Sequence, residues 1–534
     1  MTWDVDTWFH LMRVHEITTA FNHGHLPNLV NFYSFKQLGQ ATNAMYPSFS
    51  LWPFLYILRL VPPIIQWYSL SAIFLFIGLV LTSFYARKLT DNEWLITLFS
   101  IVTIVSPGIF TNLHNGSFGM FVSAMFLPSA ILALTFSRRQ IQYAWLYLAV
   151  PIAIIAITHL MTLTMLVAYL GLFAIVELIK TRNLKQIVLY LKSGMLAILL
   201  AAPIFIVPII KFQSDIVGVI PRYLVGAPVL ELVKNSVKAI YSSDSYTYTG
   251  VLPLIGLVLI AICLFNKKID WQTRYFGIIS LIMFILMTNI FPWPKLTQLL
   301  GGIVQYPEWR VAAFMVPTVF VTLFLLAIDL KIEWKLKGKV LVYSLIAIFT
   351  ILPFLQMTMY QRHLNATEEL WQVQKQYSRE TTILNEDSFK DADFYNVRQY
   401  VDYSPVEAMA NAELVNRHGV TMGQSIALIN GTEVTVTKHP TKDYRGIVLK
   451  FPKKVSGKVD IPIWNYEALN YDIPAAKSYQ TSKLRGSLLV DLKNPTRQIV
   501  IKSVKSNVYT VTIWIMTLSW LGIAIAMIIN KRKK

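Results

Sequence analysis

The chain has little charge, a single cysteine and no glycine-rich phosphate loop, and each shortage excludes a class of protein. Of its 534 residues only 14% are charged whereas 55% are hydrophobic, and the mean hydropathy is +0.50. A soluble chain could not bury so much apolar surface, so the composition predicts a polytopic membrane protein. The lone Cys263 excludes a disulfide framework and a cysteine-based metal site. The lack of a Walker-type loop argues against an ATP-driven pump.

Acidic residues are also scarce, at 29 against 48 lysines and arginines, which gives a net charge of +19. Such an excess can indicate a nucleic-acid partner. Much of it, however, lies in short connections between apolar segments, where basic residues orient helices and contact anionic lipid head groups. We therefore expect membrane lipid as a partner and no nucleic acid.

Eleven apolar runs have the length, alone or with their flanking residues, to cross a bilayer. They are 68–86, 95–110, 118–136, 144–158, 161–179, 187–210, 251–265, 275–290, 311–328, 340–357 and 508–529. Basic residues occupy every second connection: 87–88, 138–139, 180–185, 267–274, 331–339 and 531–534. By the positive-inside rule these connections and the C-terminal tail face the cytoplasm, and the protein is a multipass component of the plasma membrane.

The same alternation places the long connections on the outer side. These are 1–48, 211–250, 291–310 and the large segment 360–506. The aromatic stretch 46–61, with its prolines and Arg59, predicts an interfacial helix and not a span. Because residues 1–48 are polar and no signal peptide precedes them, we expect a first transmembrane helix to be missing, through a misassigned start or a truncated gene.

From about residue 360 the composition changes to charged and amide residues, followed by short alternating runs separated by turn signals. The runs are 426–428, 433–437, 447–451, 459–463, 487–492 and 498–501, and the turns include Asn430-Gly431. This pattern is typical of a small β-sandwich. The predicted domains are a first outer loop with interfacial helices (1–66), a multispan domain (67–357), an extracytoplasmic β-rich domain (358–507), and an anchoring helix with a basic tail (508–534).

The first residues of the chain carry the candidate catalytic groups. If Asp6 caps a helix, then Asp6, His10 and Arg13 lie on one helical face at positions i, i+4 and i+7. A carboxylate there can take a proton from an acceptor hydroxyl, and an arginine can stabilise a phosphate leaving group. Asp4 is the second candidate acid. The alternative interpretation is a capped surface helix whose polar face is solvated.

Several short motifs resemble, in their order, a family of bacterial multipass proteins. They are Asp6-Thr7-Trp8-Phe9-His10-Leu11-Met12-Arg13, Gly24-His25-Leu26-Pro27, Tyr46-Pro47, Gly119 with Phe126-Leu127-Pro128, Thr158-His159-Leu160, Gln305-Tyr306-Pro307-Glu308-Trp309-Arg310, and 400–405. The family is that of the "6-pyruvoyl-tetrahydropterin synthase-related" membrane proteins, which resemble YfhO-type proteins and, more distantly, the GT-C glycosyltransferases. The resemblance covers nearly the whole chain.

This resemblance implies a GT-C-like fold of about 11 spans and a glycosyltransferase activity. The donor would be a polyprenyl-phosphate-linked sugar, and the acceptor an extracytoplasmic glycan, teichoic acid or protein. Asp6 would be the general base, and Arg13 and Arg310 would contact phosphate. Family members often carry a glutamate shortly after Gly119, where this chain has Met120 and Phe121, so a divalent metal is not evident and the cofactors stay open.

Three further residues are candidates for substrate binding, each with an alternative. His159, at the outer end of a predicted helical hairpin, is either functional or bonds a free carbonyl at a helix end. Glu308 and Arg310 either hold a lipid phosphate or form an interfacial salt pair. The alternative function for the whole chain is a flippase or transporter for lipid-linked glycans, or a non-enzymatic assembly partner.

Overall fold

The computed structural model describes residues 5–114, 117–214, 224–238, 249–301, 304–331, 403–408 and 421–532. Within these ranges the chain forms a helical N-terminal part, a C-terminal β-domain and a final apolar helix. The predicted span 340–357, the segment 358–402 and Asp4 lie outside the described residues. So do most of the basic connection 331–339 and the last two lysines.

Helices make up most of the described chain up to residue 331. They are α1 Val5–Asn22, α2 Thr42–Met45, α3 Trp52–Leu58, α4 Pro63–Ala86, α5 Glu93–Ile104, α6 Pro107–His114, α7 Phe118–Ala124, α8 Leu127–Phe136, α9 Ala144–Ala156, α10 Leu160–Thr181, α11 Lys185–Leu200, α12 Ile206–Gln213, α13 Val229–Lys238, α14 Val251–Cys263, α15 Trp271–Met287, α16 Thr297–Leu300, α17 Pro307–Asp329 and α18 Asn507–Arg532. Short 3-10 helices cover Phe35–Gln37, Ala202–Phe205, Trp293–Leu296 and Val406–Ala408.

The predicted apolar runs within the described ranges are all helical, some with a break. Five helical segments are long and apolar enough to cross a membrane: Pro63–Ala86, Phe118–Phe136, Leu160–Thr181, Pro307–Asp329 and Asn507–Ile529. A sixth span results if Lys185–Leu200 and Ala202–Ile210, which meet at an angle of 83°, count as one. The other apolar helices, α5, α9, α14 and α15, have 10–17 residues. The fold is therefore that of a helical membrane protein, and the count of eleven spans stays a prediction.

Helix α17 and the pair α7–α8 form the centre of the helical bundle. Helix α17 packs against α5, α8, α14 and α15, and nearly all of its side chains are buried. In contrast, only 28% of the residues in the apolar stretches of α4 and α10 are buried, and none in that of α18, so each helix has an exposed apolar face with residues such as Phe76, Val167 and Trp514. Exposed apolar faces of this extent are what helices present to lipid, which agrees with a bundle seated in a membrane.

Two of the predicted cytoplasmic connections meet at one end of the bundle. Arg138 pairs with Asp270 at 3.0 Å, and Arg139 pairs with Asp329 at 3.5 Å. The Thr273 hydroxyl also donates to Asp329 at 2.8 Å. Opposite charges thus connect the ends of neighbouring helices, although the side of the membrane that this end faces stays a prediction.

The β-domain consists of two antiparallel sheets. Its strands are β1 Ile426–Ile429, β2 Thr432–Thr435, β3 Thr437–Pro440, β4 Gly446–Val455, β5 Lys458–Trp464, β6 Asn470–Asp472, β7 Ala476–Thr481, β8 Ser487–Leu492 and β9 Thr496–Val504. One sheet has the order β2-β1-β5-β8-β7 and the other β3-β4-β9-β6. Buried side chains of both sheets, such as Leu449, Ile461 and Ile501, share one core. This is a β-sandwich, as the alternation predicted.

The six predicted strand runs are all strands, with one change. The run 433–437 divides into β2 and β3, which belong to different sheets. Strands β6 and β7 were not predicted, because β6 has three residues and β7 is a mostly polar edge strand. The turn signal Asn430-Gly431 is confirmed: both residues have a positive φ, at 50° and 80°, as a two-residue hairpin turn of this kind requires.

The segment after α1 lies between the helical bundle and the β-domain and does not form a free loop. The Trp464 N–H donates to the Leu38 carbonyl at 2.8 Å, and the Ala41 N–H donates to the Tyr466 hydroxyl at 3.1 Å. The half-buried Lys438 Nζ donates to the Gln37 carbonyl at 3.0 Å. The β-domain thereby fixes the segment that runs from α1 to Tyr46.

Candidate functional site

Helix α1 carries the predicted catalytic face. It begins at Val5, so Asp6 lies within the first turn and does not cap the helix from outside as expected. The Asp6 side chain is outside the described part of the structure. The spacing of Asp6, His10 and Arg13 along the helix keeps them on one face, as predicted. An acid in the first turn also interacts favourably with the helix dipole.

Arg13 is buried, with only 1% of its surface exposed. Its Nη2 donates to the carbonyls of Tyr46 at 2.8 Å and of Pro47 at 3.0 Å, and Nη1 lies 3.1 Å from His10 Nδ1. The Nε atom is buried without a hydrogen-bond partner. Arg13 forms no ion pair with any carboxylate whose side chain is described. The guanidinium therefore brings a positive charge into the interior that these contacts do not neutralise.

The aromatic ring of Tyr46 is the centre of the site. The Arg13 guanidinium carbon lies 4.2 Å from the ring centroid, within cation–π distance. The rings of His10 and His159 lie 5.4 and 5.5 Å from it. A Cβ added to Gly119 would lie 2.2 Å from the Tyr46 hydroxyl oxygen. Only glycine at position 119 leaves room for this ring, so α7 forms one wall of the site.

His159 caps the N-terminus of α10 and does not bond a free carbonyl. Its Nδ1 accepts the Thr162 N–H at 3.2 Å and lies 2.7 Å from the Thr162 hydroxyl. An accepting Nδ1 leaves the proton of the neutral imidazole on Nε2. His159 therefore lies beside Tyr46 with a fixed orientation, and its role in substrate binding stays a prediction.

Arg310 and Glu308 lie in the first turn of α17. Arg310 is buried, its Nη2 donates to Gln305 Oε1 at 3.0 Å, and its guanidinium lies over the Trp309 ring. Glu308 makes no ion pair with a described residue, and its Oε2 is buried without a hydrogen-bond partner. The salt-pair alternative for these two residues is thus not seen within the described ranges.

The electrostatics of the site favour an anion. Burial, together with the charge of Arg13, lowers the pKa of His10 well below its ordinary value, so the imidazole is neutral at pH 7. Burial lowers the pKa of His159 to about 3, and the charges of Arg310 and Arg13 add to this effect. Burial lowers the pKa of Arg13 only to about 10, so Arg13 stays charged. The result is a pair of guanidinium charges acting on neutral imidazoles.

Glu16 is a buried acid that the sequence interpretation missed. It lies three residues after Arg13 on α1, and its Oε1 accepts the Tyr33 N–H at 2.6 Å and the Ser34 hydroxyl at 2.8 Å. Burial raises its pKa to about 7. Glu16 thus connects α1 to the following segment and does not pair with Arg13. Its spacing of i+3 from Arg13 was the only available signal, and that spacing alone suggests an ion pair.

The described residues also show what the site lacks. Nowhere in the described ranges do three histidine, cysteine, aspartate or glutamate residues come close enough to hold a metal ion. The side chains of Asp4 and Asp6 lie outside these ranges. No protein-family model matches the chain, and neither a curated protein nor a solved structure matches it.

Proposed function

We propose that the chain is a membrane glycosyltransferase of GT-C type that transfers a sugar from a polyprenyl-phosphate carrier to an extracytoplasmic cell-envelope acceptor. One observation carries the proposal: the buried Arg13 guanidinium has no described carboxylate partner and lies beside two neutral histidines. A buried cation without a counter-charge favours an anionic ligand, and the phosphate of a lipid carrier is such a ligand.

The reaction assigns a role to each group on α1. The acceptor hydroxyl oxygen bonds to the anomeric carbon of the sugar while the bond from that carbon to the phosphate oxygen breaks. Asp6 takes the hydroxyl proton, and polyprenyl phosphate leaves with the bonding electrons. Arg13 and Arg310 stabilise the charge that develops on the leaving phosphate, because both are buried cations. His10 orients the Arg13 guanidinium through its Nδ1 contact.

The proposal also includes the finer features of the architecture. We infer about eleven spans, a GT-C-like arrangement, and an outer location for α1 and the β-domain. The alternation of basic connections supports this orientation. The β-domain, docked on the segment after α1, would then select or present the acceptor near Tyr46.

The test is transfer of the sugar by the purified full-length protein with a lipid-linked donor. Asp6→Asn removes the basic carboxylate and should lower the transfer rate by about two to four orders of magnitude. Asp472→Asn, at an exposed position of strand β6, is the matched control and should leave the rate unchanged. Equal activity of the Asp6→Asn variant and the parent would refute the role of Asp6.

One observation favours a second candidate, a transporter for lipid-linked glycans. The bend of 83° between α11 and the helix that follows it interrupts an apolar segment, as discontinuous helices do in many transporters. The two candidates differ in cells that lack the gene. Loss of the glycan without loss of translocation of its lipid-linked precursor supports the transferase, whereas precursor accumulating on the cytoplasmic leaflet supports the transporter.

A further inference from the structure

A second basic cleft lies where the end of α1 meets the β-domain, away from Arg13. It is lined by Gly24, His25, Leu26, Asn28, Arg445, Ser503 and Lys505, and its volume is about 390 Å³. We call it the junction cleft. Three stretches far apart in sequence form it: one directly after α1, one immediately before β4 and one at the end of β9. The cleft therefore lies between the segment after α1 and the β-domain.

The junction cleft carries cations and no acid. Arg445 and Lys505 act electrostatically on His25, and Arg445 also acts on Lys505. Burial lowers the pKa of Lys505 to about 8, which leaves its ammonium charged at neutral pH. The acid nearest in sequence, Asp443, is held by the Lys502 ammonium at 2.7 Å and does not line the cleft.

His25 provides a second, independent sign of a ligand. Its side chain is more than nine-tenths buried, its Nδ1 donates to the Leu26 carbonyl oxygen at 2.9 Å, and its Nε2 is buried without a hydrogen-bond partner. Because Nδ1 carries the ring proton, Nε2 of the neutral ring is an acceptor and needs a ligand with a donor group. A buried ring nitrogen without a partner costs free energy unless a ligand or water satisfies it. The Lys505 ammonium also donates to the Leu26 carbonyl, at 2.8 Å, and keeps two further N–H groups.

The position of the cleft identifies the kind of anion. Lys505 comes two residues before α18, which packs one face against α11 and exposes apolar side chains such as Val508, Val511 and Trp514 on the other. Two residues before Gly24, the Asn22 side chain at the end of α1 donates to the Arg59 carbonyl at 3.4 Å, next to the exposed apolar residue Leu60. Basic groups at the end of an exposed apolar helix suit a ligand with a phosphate head group and acyl chains.

We propose that the junction cleft binds the phosphate group of an anionic membrane lipid. The phosphate accepts hydrogen bonds from Lys505 and Arg445, and the P–OH of a phosphate monoester donates to His25 Nε2, while the acyl chains of the lipid lie along the exposed face of α18. The bound lipid would connect the segment after α1 to the β-domain at the membrane surface. This site is separate from the Arg13 site and does not depend on the transferase proposal.

The experiment measures lipid binding to the purified full-length protein in neutral detergent, by native mass spectrometry. The probes are dioleoylphosphatidic acid, dioleoylphosphatidylcholine with the same acyl chains, and inorganic phosphate. We expect the parent to bind the phosphatidic acid about tenfold more tightly than the phosphatidylcholine, the effect of about one charge-assisted hydrogen bond. We also expect inorganic phosphate not to displace the lipid at equal concentration.

Arg445→Gln is the main variant because the Arg445 side chain is exposed and its loss should not affect folding. It should lose most of the preference for phosphatidic acid, and adding Lys505→Gln should abolish it. Arg497→Gln is the matched control: Arg497 is also exposed, on the same strand as Ser503 but about 20 Å away along it. The control should keep the preference of the parent.

Two results would overturn the proposal. In one, the Arg445→Gln and Lys505→Gln double variant prefers phosphatidic acid as strongly as the parent does. In the other, inorganic phosphate binds in the cleft as tightly as the lipid, which would assign the site to a soluble phosphate. Neither result bears on sugar transfer, so the two proposals can fail separately.

Discussion

The molecule contains two arginines that are equally buried but differently surrounded. Arg13, in the helical part, and Arg485, in the β-domain, each expose 1% of their surface. Arg485 pairs with Asp460 at 2.8 Å, and it also donates to the Ser487 hydroxyl and the Ile426 carbonyl. Arg13 contacts two carbonyls, a neutral imidazole and an aromatic ring, and no described carboxylate.

The difference lies in the counter-charge, and it is the basis of the proposal that Arg13 binds an anionic ligand. The Arg485–Asp460 pair is satisfied within the fold, since Asp460 also accepts from the Ser482 hydroxyl at 2.6 Å. It joins β1, β5 and β8 of one sheet. Arg13 leaves its Nε without a partner, which is costly in a closed interior but useful where an anion binds. Burial alone therefore does not distinguish the two arginines, whereas the missing counter-charge does, and this difference supports the proposed role of Arg13.

The largest expected change in stability comes from breaking the Arg485–Asp460 pair of the β-domain. Asp460→Ala leaves the Arg485 charge buried and unpaired, which should lower the free energy of unfolding by about 3–5 kcal/mol. Thermal unfolding of the purified protein in detergent measures this loss. Replacing both residues by apolar side chains of similar volume should recover most of it. If the Asp460→Ala variant is as stable as the parent, the Arg485–Asp460 pair does not stabilise the sandwich.

The second effect concerns Glu16, the buried acid beside the Arg13 site. Its pKa is about 7 in the folded protein against an ordinary 4.5, so the folded state holds this proton more tightly. Its contribution to stability is therefore complete below about pH 4.5 and is lost as the pH rises to about 7. The loss is about 3 kcal/mol at roughly 1.4 kcal/mol per pH unit.

Glu16→Gln is neutral at every pH and should remove this dependence. The measurement compares the unfolding temperatures of parent and variant in detergent at pH 5 and pH 7.5. The parent should lose more stability than the variant over this range. If both proteins lost the same stability between pH 5 and pH 7.5, Glu16 would have an ordinary pKa and stay charged. Its carboxylate would then place a negative charge close to Arg13, and the contrast between Arg13 and Arg485 would be weaker.

The third effect tests the ligand of Arg13 directly. Farnesyl phosphate, a short prenyl phosphate, should stabilise the parent by about 2.7 kcal/mol at one hundred times its dissociation constant. Arg13→Gln should lose this stabilisation, because the cation that faces the phosphate is gone. Both proteins carry Arg445→Gln and Lys505→Gln, so that binding in the junction cleft does not contribute. Arg497→Gln in the same background is the matched control and should keep the stabilisation. Equal stabilisation of the parent and the Arg13→Gln variant would argue against a phosphate at Arg13.

The smallest effect comes from the wall of the site. Gly119→Ala forces its Cβ to 2.2 Å from the Tyr46 hydroxyl, so the ring must shift. Such overpacking should cost about 1–3 kcal/mol of stability and should weaken the response to farnesyl phosphate. Gly171→Ala, in the exposed part of α10 where a Cβ meets nothing within 4 Å, is the control and should be neutral or slightly stabilising. If the two variants behave alike, Tyr46 has space to move.

Much of this architecture could be predicted from the sequence, because long apolar runs and strict alternation depend on neighbouring residues alone. The helices and the sandwich follow from such patterns. The short strand β6 and the division of 433–437 between two sheets depend on contacts with distant strands and could not be predicted in this way. The meeting of His10 and Arg13 followed from their helical spacing.

The centre of the site was harder to predict. Tyr46 and Gly119 were recognised as parts of motifs, but their packing against each other depends on two separate elements. For Glu16 the spacing is misleading. Its position three residues after Arg13 suggests an ion pair, but its carboxylate accepts the Tyr33 N–H instead. Sequence spacing predicts which groups share a helical face. Tertiary packing decides which of those groups lack a hydrogen-bond or ion-pair partner.

The docking of the β-domain on the segment after α1 has a consequence for the order of synthesis. The Ala41 N–H and the Tyr466 hydroxyl that receives it are 425 positions apart. At about 5–20 residues per second, the ribosome needs tens of seconds to supply the second partner after the first. During that time the groups around Ala41 stay hydrated or are held by a chaperone. Closing so long a loop makes this contact a late event of assembly, and the site around Tyr46 is completed only when the chain is almost finished.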